Sequence, residues 1–237
     1  MNLSFPFELF SSLLFPSFCR LCGQALRATK EKVVCLDCLK TITPAAAPSC
    51  PLCGLLPGVE EREICARCRL EAPAFLRHRS FAFYQGPLQE IIQLYKFQEL
   101  ESLSRVLADF LLISLGRDFS STLEIIVPVP ADRRHRRAFA PVKVLARRLA
   151  RSAGISLQTG NLVKTRSTSP QVGLNSRERR RNLRNAFELR RPDLIADRDI
   201  LLLDDVWTTG TTIRECAAVL AGAGARVHAL TIARTPF

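Results

Sequence analysis

From residue 80 onward the chain reads as short apolar runs set between segments of helical periodicity. SFAFY at 80–84 alternates at period two, as a strand does. Residues 87–97 and 101–115 repeat their apolar positions at helical spacing, and Pro87 suits a first turn. LEIIVPVP at 123–130 reads as a β-branched strand halted by prolines. PVKVLARRLARSAG at 141–154 has proline near its start, glycine near its end and Lys and Arg along one face, the pattern of a basic amphipathic helix. DILLLDD at 199–205 is an unbroken apolar run of the kind buried on both faces, ending in two acids. A helix from about Thr212 to Ala221 and a strand, RVHALTIA at 226–233, complete the pattern. Strands alternating with helices predict a mainly parallel α/β sheet flanked by helices, whose ligands bind beyond the carboxyl ends of the strands.

Before residue 80 the pattern is set by cysteine. Eight of nine cysteines form four C-x-x-C pairs: Cys19 and Cys22, Cys35 and Cys38, Cys50 and Cys53, Cys65 and Cys68. That spacing lets both thiolates of a turn reach one tetrahedral metal, so two structural Zn²⁺ ions are expected. CRLCGQALRATKEKVVCLDC and CPLCGLLPGVEEREICARC read as two copies of one unit, which favours consecutive ribbons. A cross-braced arrangement, in which the first and third pairs share a metal, stays open. Zinc-bound thiolates imply a reducing compartment, hence the cytoplasm. Cys216, alone in a helical pattern, reads as a small core residue. Residues 1–18 carry Glu8, Pro6 and Pro16 and no basic start, which argues against a signal peptide and for an apolar segment packed on the body of the protein. No run is long enough to span a membrane. The expected units are therefore an apolar segment at 1–18, a double ribbon at 19–70 and an α/β domain at 80–237.

An apolar content of 47% excludes a disordered chain, and charge then narrows the class of partner. Between Asp132 and Arg191 lie 17 Lys or Arg against 3 Asp or Glu, a balance of +14, whereas the rest holds 17 against 19. This segment thus carries all of the net charge of +12. Its runs include Arg133, Arg134, Arg147, Arg148, Arg179, Arg180, Arg181 and Arg184, the candidates for nucleic-acid contact. A phosphorylated small molecule drawn in by the same field is the other expectation, and a solvated basic face the plainer one.

Chemistry concentrates in ILLLDDVWTTGTT at 200–212. A helix start after a glycine-bearing loop offers free backbone N–H groups and a dipole that favours an anion. Gly210 permits a tight backbone, and Thr208, Thr209, Thr211 and Thr212 add hydroxyl donors. Asp204 and Asp205 would repel a phosphate unless they faced something else, and vicinal sugar hydroxyls fit, because carboxylates only accept. The ligand inferred is a ribose 5-phosphate moiety, with a divalent cation nearby. A helix cap in which Asp and Thr satisfy orphan amides is the alternative.

This stretch resembles the phosphoribosyl pyrophosphate (PRPP) motif of type I phosphoribosyltransferases. The whole chain resembles the ComF family, which includes competence proteins of DNA uptake and GntX-type proteins. The resemblance rests on LLFPSFCRLCG, the cysteine pairs, YQGPLQEIIQLYKF at 84–97, IVPVP at 126–130, the region from Gln171 to Phe187 with RRRNLRNAF, and the acidic-threonine loop. It implies that Asp204 and Asp205 hold the ribose hydroxyls as the catalytic acids, that Thr208, Thr209, Gly210, Thr211 and Thr212 hold the 5-phosphate, and that Mg²⁺ accompanies the pyrophosphate. It implies also that Arg136 and Arg137 approach the pyrophosphate and that the polar segment from about 164 to 187 closes over the site. Where the family has a Gly-Phe-Asn-Gln type sequence, this chain has Ala138, Phe139, Ala140 and Pro141, so polar contacts are missing beside the pyrophosphate. Only one helix and one strand follow the motif, too little for a hood over a nucleobase, so the ribbons are expected to cover the crevice or supply the acceptor surface. Three functions are compatible: a phosphoribosyltransferase with an unidentified acceptor, a noncatalytic single-stranded DNA-binding factor of DNA uptake, and a PRPP-sensing regulator. The expected partners are accordingly PRPP or a related ribose 5-phosphate, and single-stranded DNA or DNA-uptake proteins.

Overall fold

DILLLDDVW, Asp199–Trp207, forms the central strand (β6) of a five-stranded parallel sheet in the computed structural model, which describes residues 17–26, 33–45, 50–55, 63–119, 122–131, 139–166, 183 and 185–236. Its neighbours are Arg226–Arg234 (β7) on one side and Ile125–Pro128 (β2) on the other; Arg77–Phe83 (β1) and Ser156–Leu157 (β3) form the two edges. Alternate β6 residues face opposite layers: Leu201 and Leu203 join one core cluster, Ile200 and Leu202 the other. An apolar run without polar interruption is what a strand covered on both faces requires.

Three helices cover the first face: Gly86–Phe97 (α3), Ser104–Asp118 (α4) and Pro141–Ala153 (α5). Thr211–Gly222 (α6) covers the second, together with a small antiparallel pair, Leu162–Lys164 (β4) and Phe187–Leu189 (β5). α5 ends in a left-handed Gly154 at φ 67°, as its sequence predicts. The expected helix at 101–115 divides into a 3₁₀ turn, Glu101–Leu103, and α4.

The sheet differs from the sequence pattern in two places. β6 does not stop at its acids but runs on to Trp207, because β7 continues to pair with it through Val206 with Ala233 and Trp207 with Arg234. β1 starts at Arg77 and is buried at positions 78–82 although it is an edge strand. The second cysteine unit covers that edge: the His78 amide donates to the Leu52 carbonyl at 2.6 Å, and Arg79 donates to the Pro51 carbonyl at 3.1 Å. Covering an edge in this way removes a template for aberrant pairing.

The two cysteine units belong to different cores. Cys19, Val34, Cys35 and Ile42 pack with the α3–α4–α5 layer, and Cys50, Cys53, Cys65 and Cys68 pack with the α6 layer. Among the described residues each contains one short helix, Leu36–Lys40 (α1) and Ala66–Leu70 (α2).

Candidate functional site: an acidic-threonine crevice with two cysteine tetrads

The strand order β1-β7-β6-β2-β3 places the reversal of connection between β6 and β2. The chain leaves β2 for α5 on one face and leaves β6 for α6 on the other. Such a divergence opens a crevice at the carboxyl ends of the two strands. Here β2 pairs only as far as Pro128 with Leu203, after which the Val129 amide donates to the Leu203 carbonyl at 2.8 Å. The next two residues of β6 are Asp204 and Asp205. They have lost their strand neighbour on the β2 side while β7 still holds the other, so the acids stand where the crevice begins.

Lys96, in the last turn of α3, reaches the acids from the opposite side. Its Nζ lies 2.8 Å from Asp205 Oδ2, with the two side chains 28% and 10% exposed. Burial works against the lysine charge, but the Asp205 carboxylate outweighs it and holds the ammonium above its ordinary pKa. Half-buried Asp204 accepts the Asp205 backbone amide at 2.9 Å. Desolvation first, then the neighbouring Asp205 charge, push the Asp204 carboxyl up to about 7, against the pull of Lys96. The pair is therefore asymmetric: one carboxylate is matched by a cation, and the other is poised near neutrality.

The threonine loop rests on Trp207. Gly210 has φ 72°, caps α6, and has the Trp207 ring so close that a Cβ would run into it. Glycine is needed there for both reasons. Thr209 and Thr211 hydroxyls meet at 2.8 Å, and the Thr235 amide ties the Trp207 carbonyl at 2.9 Å. With Gly210 as its cap residue, α6 has no side-chain cap, so its first amides point into the loop. The arrangement can hold an oxyanion at the loop and hydroxyl groups at the acids.

The eight paired cysteines assemble as Cys19, Cys22, Cys35 and Cys38, and as Cys50, Cys53, Cys65 and Cys68, with the ligand atoms of each group within 4.8 Å of one another. This is the consecutive arrangement. A tetrahedral Zn–S bond of about 2.3 Å implies S···S separations near 3.8 Å. The observed Cys19–Cys38, Cys22–Cys35 and Cys53–Cys65 distances are 3.9, 3.7 and 3.7 Å, so both tetrads fit structural zinc. Amides of Cys35 and Cys38 donate to sulfur at 3.4 Å, as they do around metal-bound thiolates. The second tetrad is tied to the loop region: Arg214, in the first turn of α6, donates to Cys68 Sγ at 3.4 Å and to the Glu71 carbonyl at 3.0 Å. Arg234 donates to the Cys53 and Gly54 carbonyls at 3.1 and 2.6 Å.

Among the other sequence candidates, Arg147 and Arg148 diverge. Arg147 is exposed on α5 with Lys143 and Arg151, whereas Arg148 lines a groove of about 410 Å³ with Arg105, Asp109 and Leu39. Arg133, Arg134, Arg136, Arg137, Arg179, Arg180, Arg181 and Arg184 lie outside the described residues, as does most of the 164–187 segment. The ends of that segment are described: Lys164 pairs with Phe187, and the Thr165 amide donates to the Ala186 carbonyl at 2.9 Å. Phe139 packs edge-on against Tyr95 at 5.0 Å, and Tyr95 donates its hydroxyl to the Pro141 carbonyl at 2.8 Å. Cys216 is fully buried, and burial with the nearby Asp204 charge raises its thiol pKa. Sequence reasoning missed Lys96, although the lone lysine in YQGPLQEIIQLYKF, at the end of the helix, was a usable signal, and it missed Trp207 as the floor of the loop.

Residues 10–69 match the double zinc ribbon domain family, and residues 132–236 match the phosphoribosyl transferase domain family. The chain is 34% identical to "DNA utilization protein YhgH" of Escherichia coli (strain K12) over 90% of this chain and 94% of that protein. It is 30% identical to "Competence protein F" of Haemophilus influenzae over 85% and 90%. Among solved structures, adenine phosphoribosyltransferase from Rhodothermus marinus aligns with a TM-score of 0.37 and 16% identity, over 82% of this chain and 85% of that one. Among the described residues no helix is long and apolar enough to cross a membrane.

Proposed function

This chain belongs to the ComF family of phosphoribosyltransferase-like proteins with a double zinc ribbon, and from that premise we propose that its crevice binds PRPP in the service of DNA uptake or utilisation. The observation that carries the reading is the meeting of Asp204, Asp205 and the Gly210–Thr211 helix start at the β6–β2 reversal of the parallel sheet. Asp204 and Asp205 would accept hydrogen bonds from the ribose hydroxyls, and Thr208 to Thr212 would take the 5-phosphate on their amides and hydroxyls. Arg136 and Arg137 would meet the pyrophosphate. Magnesium, which prefers phosphate oxygens and water with one or two carboxylates, would arrive with the ligand and neutralise its leaving group.

In the transferase form of this reading, an acceptor nucleophile attacks the ribose C1 as the bond to pyrophosphate breaks. The crevice then has to stabilise charge on the departing oxygen and keep water away from C1. The stem formed by β4 and β5 anchors a segment long enough to serve as that cover. Two cysteine tetrads that would hold zinc as thiolates support a reducing compartment, the cytoplasm.

A noncatalytic reading, contact with single-stranded DNA, is favoured by one separate observation: Lys143, Arg147 and Arg151 are exposed at four-residue spacing along α5. Titration with ribose 5-phosphate, which carries no pyrophosphate, tests the core of the proposal. Saturable binding that inorganic phosphate competes away supports it; no binding by the folded, zinc-loaded protein contradicts it.

A further inference from the structure

We propose that Lys96 is a positioning residue of the ligand site, which neutralises and fixes Asp205 so that two adjacent acids can face a sugar whose neighbouring groups are anionic. The inference rests on the reading of the crevice as a ribose 5-phosphate site and goes beyond it, because neither the motif nor the relatives' names assign any role to this lysine.

The geometry is specific. α3 is apolar where it meets the sheet, burying Leu88, Ile91, Ile92 and Tyr95, and its last residue, the exposed Phe97, follows Lys96 directly. Tyr95 is locked by its 2.8 Å hydrogen bond to Pro141 and by Phe139, so the backbone that carries Lys96 is pinned to the place where the loop after β2 returns into α5. The end of α3 is thus tied both to the acids of β6, through Lys96, and to the start of α5, through Tyr95. Its ammonium meets Asp205 Oδ2 at 2.8 Å in a half-buried setting, where a charge pair is screened less than at the surface.

Once both are ionised, two carboxylates on consecutive residues at the mouth of a crevice would, without a cation, present two negative charges to a ligand that is itself polyanionic. One ammonium on Asp205 halves that charge and holds one carboxylate in a single orientation. Asp204 is left to answer to the ligand. Among the described residues, the charged and titratable groups around it are Asp205 on its own strand, Lys96 from α3, and Cys216 from α6 with Glu215 and Lys164 within electrostatic reach of that cysteine; Tyr84 acts on Lys96 in turn.

The test is a double-mutant cycle on the full, zinc-loaded chain, read by titration with ribose 5-phosphate between pH 6 and 9, with circular dichroism to confirm folding. Lys96→Met should weaken binding by about tenfold or more, and Lys96→Arg should stay within about threefold of the parent. In an Asp205→Asn background, Lys96→Met should cost no more than about twofold, because the charge it balanced is gone. The pH midpoint of binding should move upward in Lys96→Met, since the ammonium is what holds the Asp204 carboxyl down, and should stay in place in Lys96→Arg. Lys96→Gln, which keeps a donor without the charge, replaces Lys96→Met if the latter does not fold. Unchanged affinity and midpoint in Lys96→Met overturn the role. So does an equal loss in both backgrounds, which would mark a direct ligand contact. A parent protein that binds no ribose 5-phosphate overturns the ligand reading itself, which separates the two failures.

Discussion

His78 and Trp207 stack with ring centroids 4.0 Å apart and planes 27° from parallel, joining the covered edge of the sheet to the floor of the threonine loop. The His78 ring Nδ1 lies 3.1 Å from the Cys53 carbonyl, which can only accept, so Nδ1 carries the proton and Nε2 accepts from Thr231 Oγ1 at 3.1 Å. Burial, with Arg234, Arg79 and Arg214 nearby, keeps the imidazole neutral. The second ribbon therefore supports the loop through His78–Trp207 and through Arg214. Cys68→Ser, which opens the second tetrad, should raise amide hydrogen exchange at residues 208–212, while Cys38→Ser in the first ribbon should leave those amides protected. Equal effects of the two substitutions would contradict this coupling.

Gly210→Ala places a methyl group against the Trp207 ring at a left-handed φ of 72°. Overpacking and the unfavourable backbone together should cost about 2–3 kcal/mol. A thermal melt shifted down by several degrees, with phosphate binding lost before folding is, is the expected result. A melt unchanged from the parent would mean that the loop has room to move off the ring.

Asp204 gives the stability a pH dependence of definite sign. Its carboxyl titrates at about 7 in the folded protein against 3.8 as the ordinary value, so between those values the folded state holds the extra proton. The contribution of this group to stability therefore falls as pH rises through the window. Asp204→Asn should stabilise the ligand-free protein by about 1–2 kcal/mol at pH 8, after allowance for solvent at a half-buried side chain, and by roughly a third of that at pH 5. Melts at the two pH values check it. The same substitution should weaken ribose 5-phosphate binding, because it removes the negative charge and replaces one acceptor oxygen by a donor NH₂.

On α5, Arg147 and Arg148 should behave differently toward DNA. Arg147→Ala should lower the slope of log affinity against log salt by about 0.7 for a single strand. Arg148→Ala, in the groove beside the first ribbon, should leave the slope unchanged. Fluorescence anisotropy over a salt series distinguishes them, and equal slopes for both variants would count against α5 as the DNA-facing surface.

The parts of this fold that were legible in the sequence are those that one local pattern specifies. An unbroken ILLL run needs cover on both faces, and glycine between threonines marks a strand-to-helix turn. Repeated C-x-x-C pairs specify ribbons, although only the folded chain decided that the pairs close consecutively. β4 and β5 escaped because each is three residues long and their partners are brought together across a polar segment, leaving no periodicity to read. Lys96 escaped for a related reason: its meaning lies in Asp205, on a strand far along the chain, and a lysine at a helix end is also what the helix dipole favours. The length of β6 was misjudged because two acids look like a strand end unless the pairing of β7 is known.

The most direct test of the central claim is calorimetric titration of the zinc-loaded protein with PRPP and Mg²⁺, beside an Asp204→Ala, Asp205→Ala double variant. Saturable binding by the parent and none by the folded variant is the result expected of a PRPP site at the carboxyl end of β6. Equal heats from both proteins, or none from the parent, would contradict it and leave the basic surface of α5 as the leading functional feature.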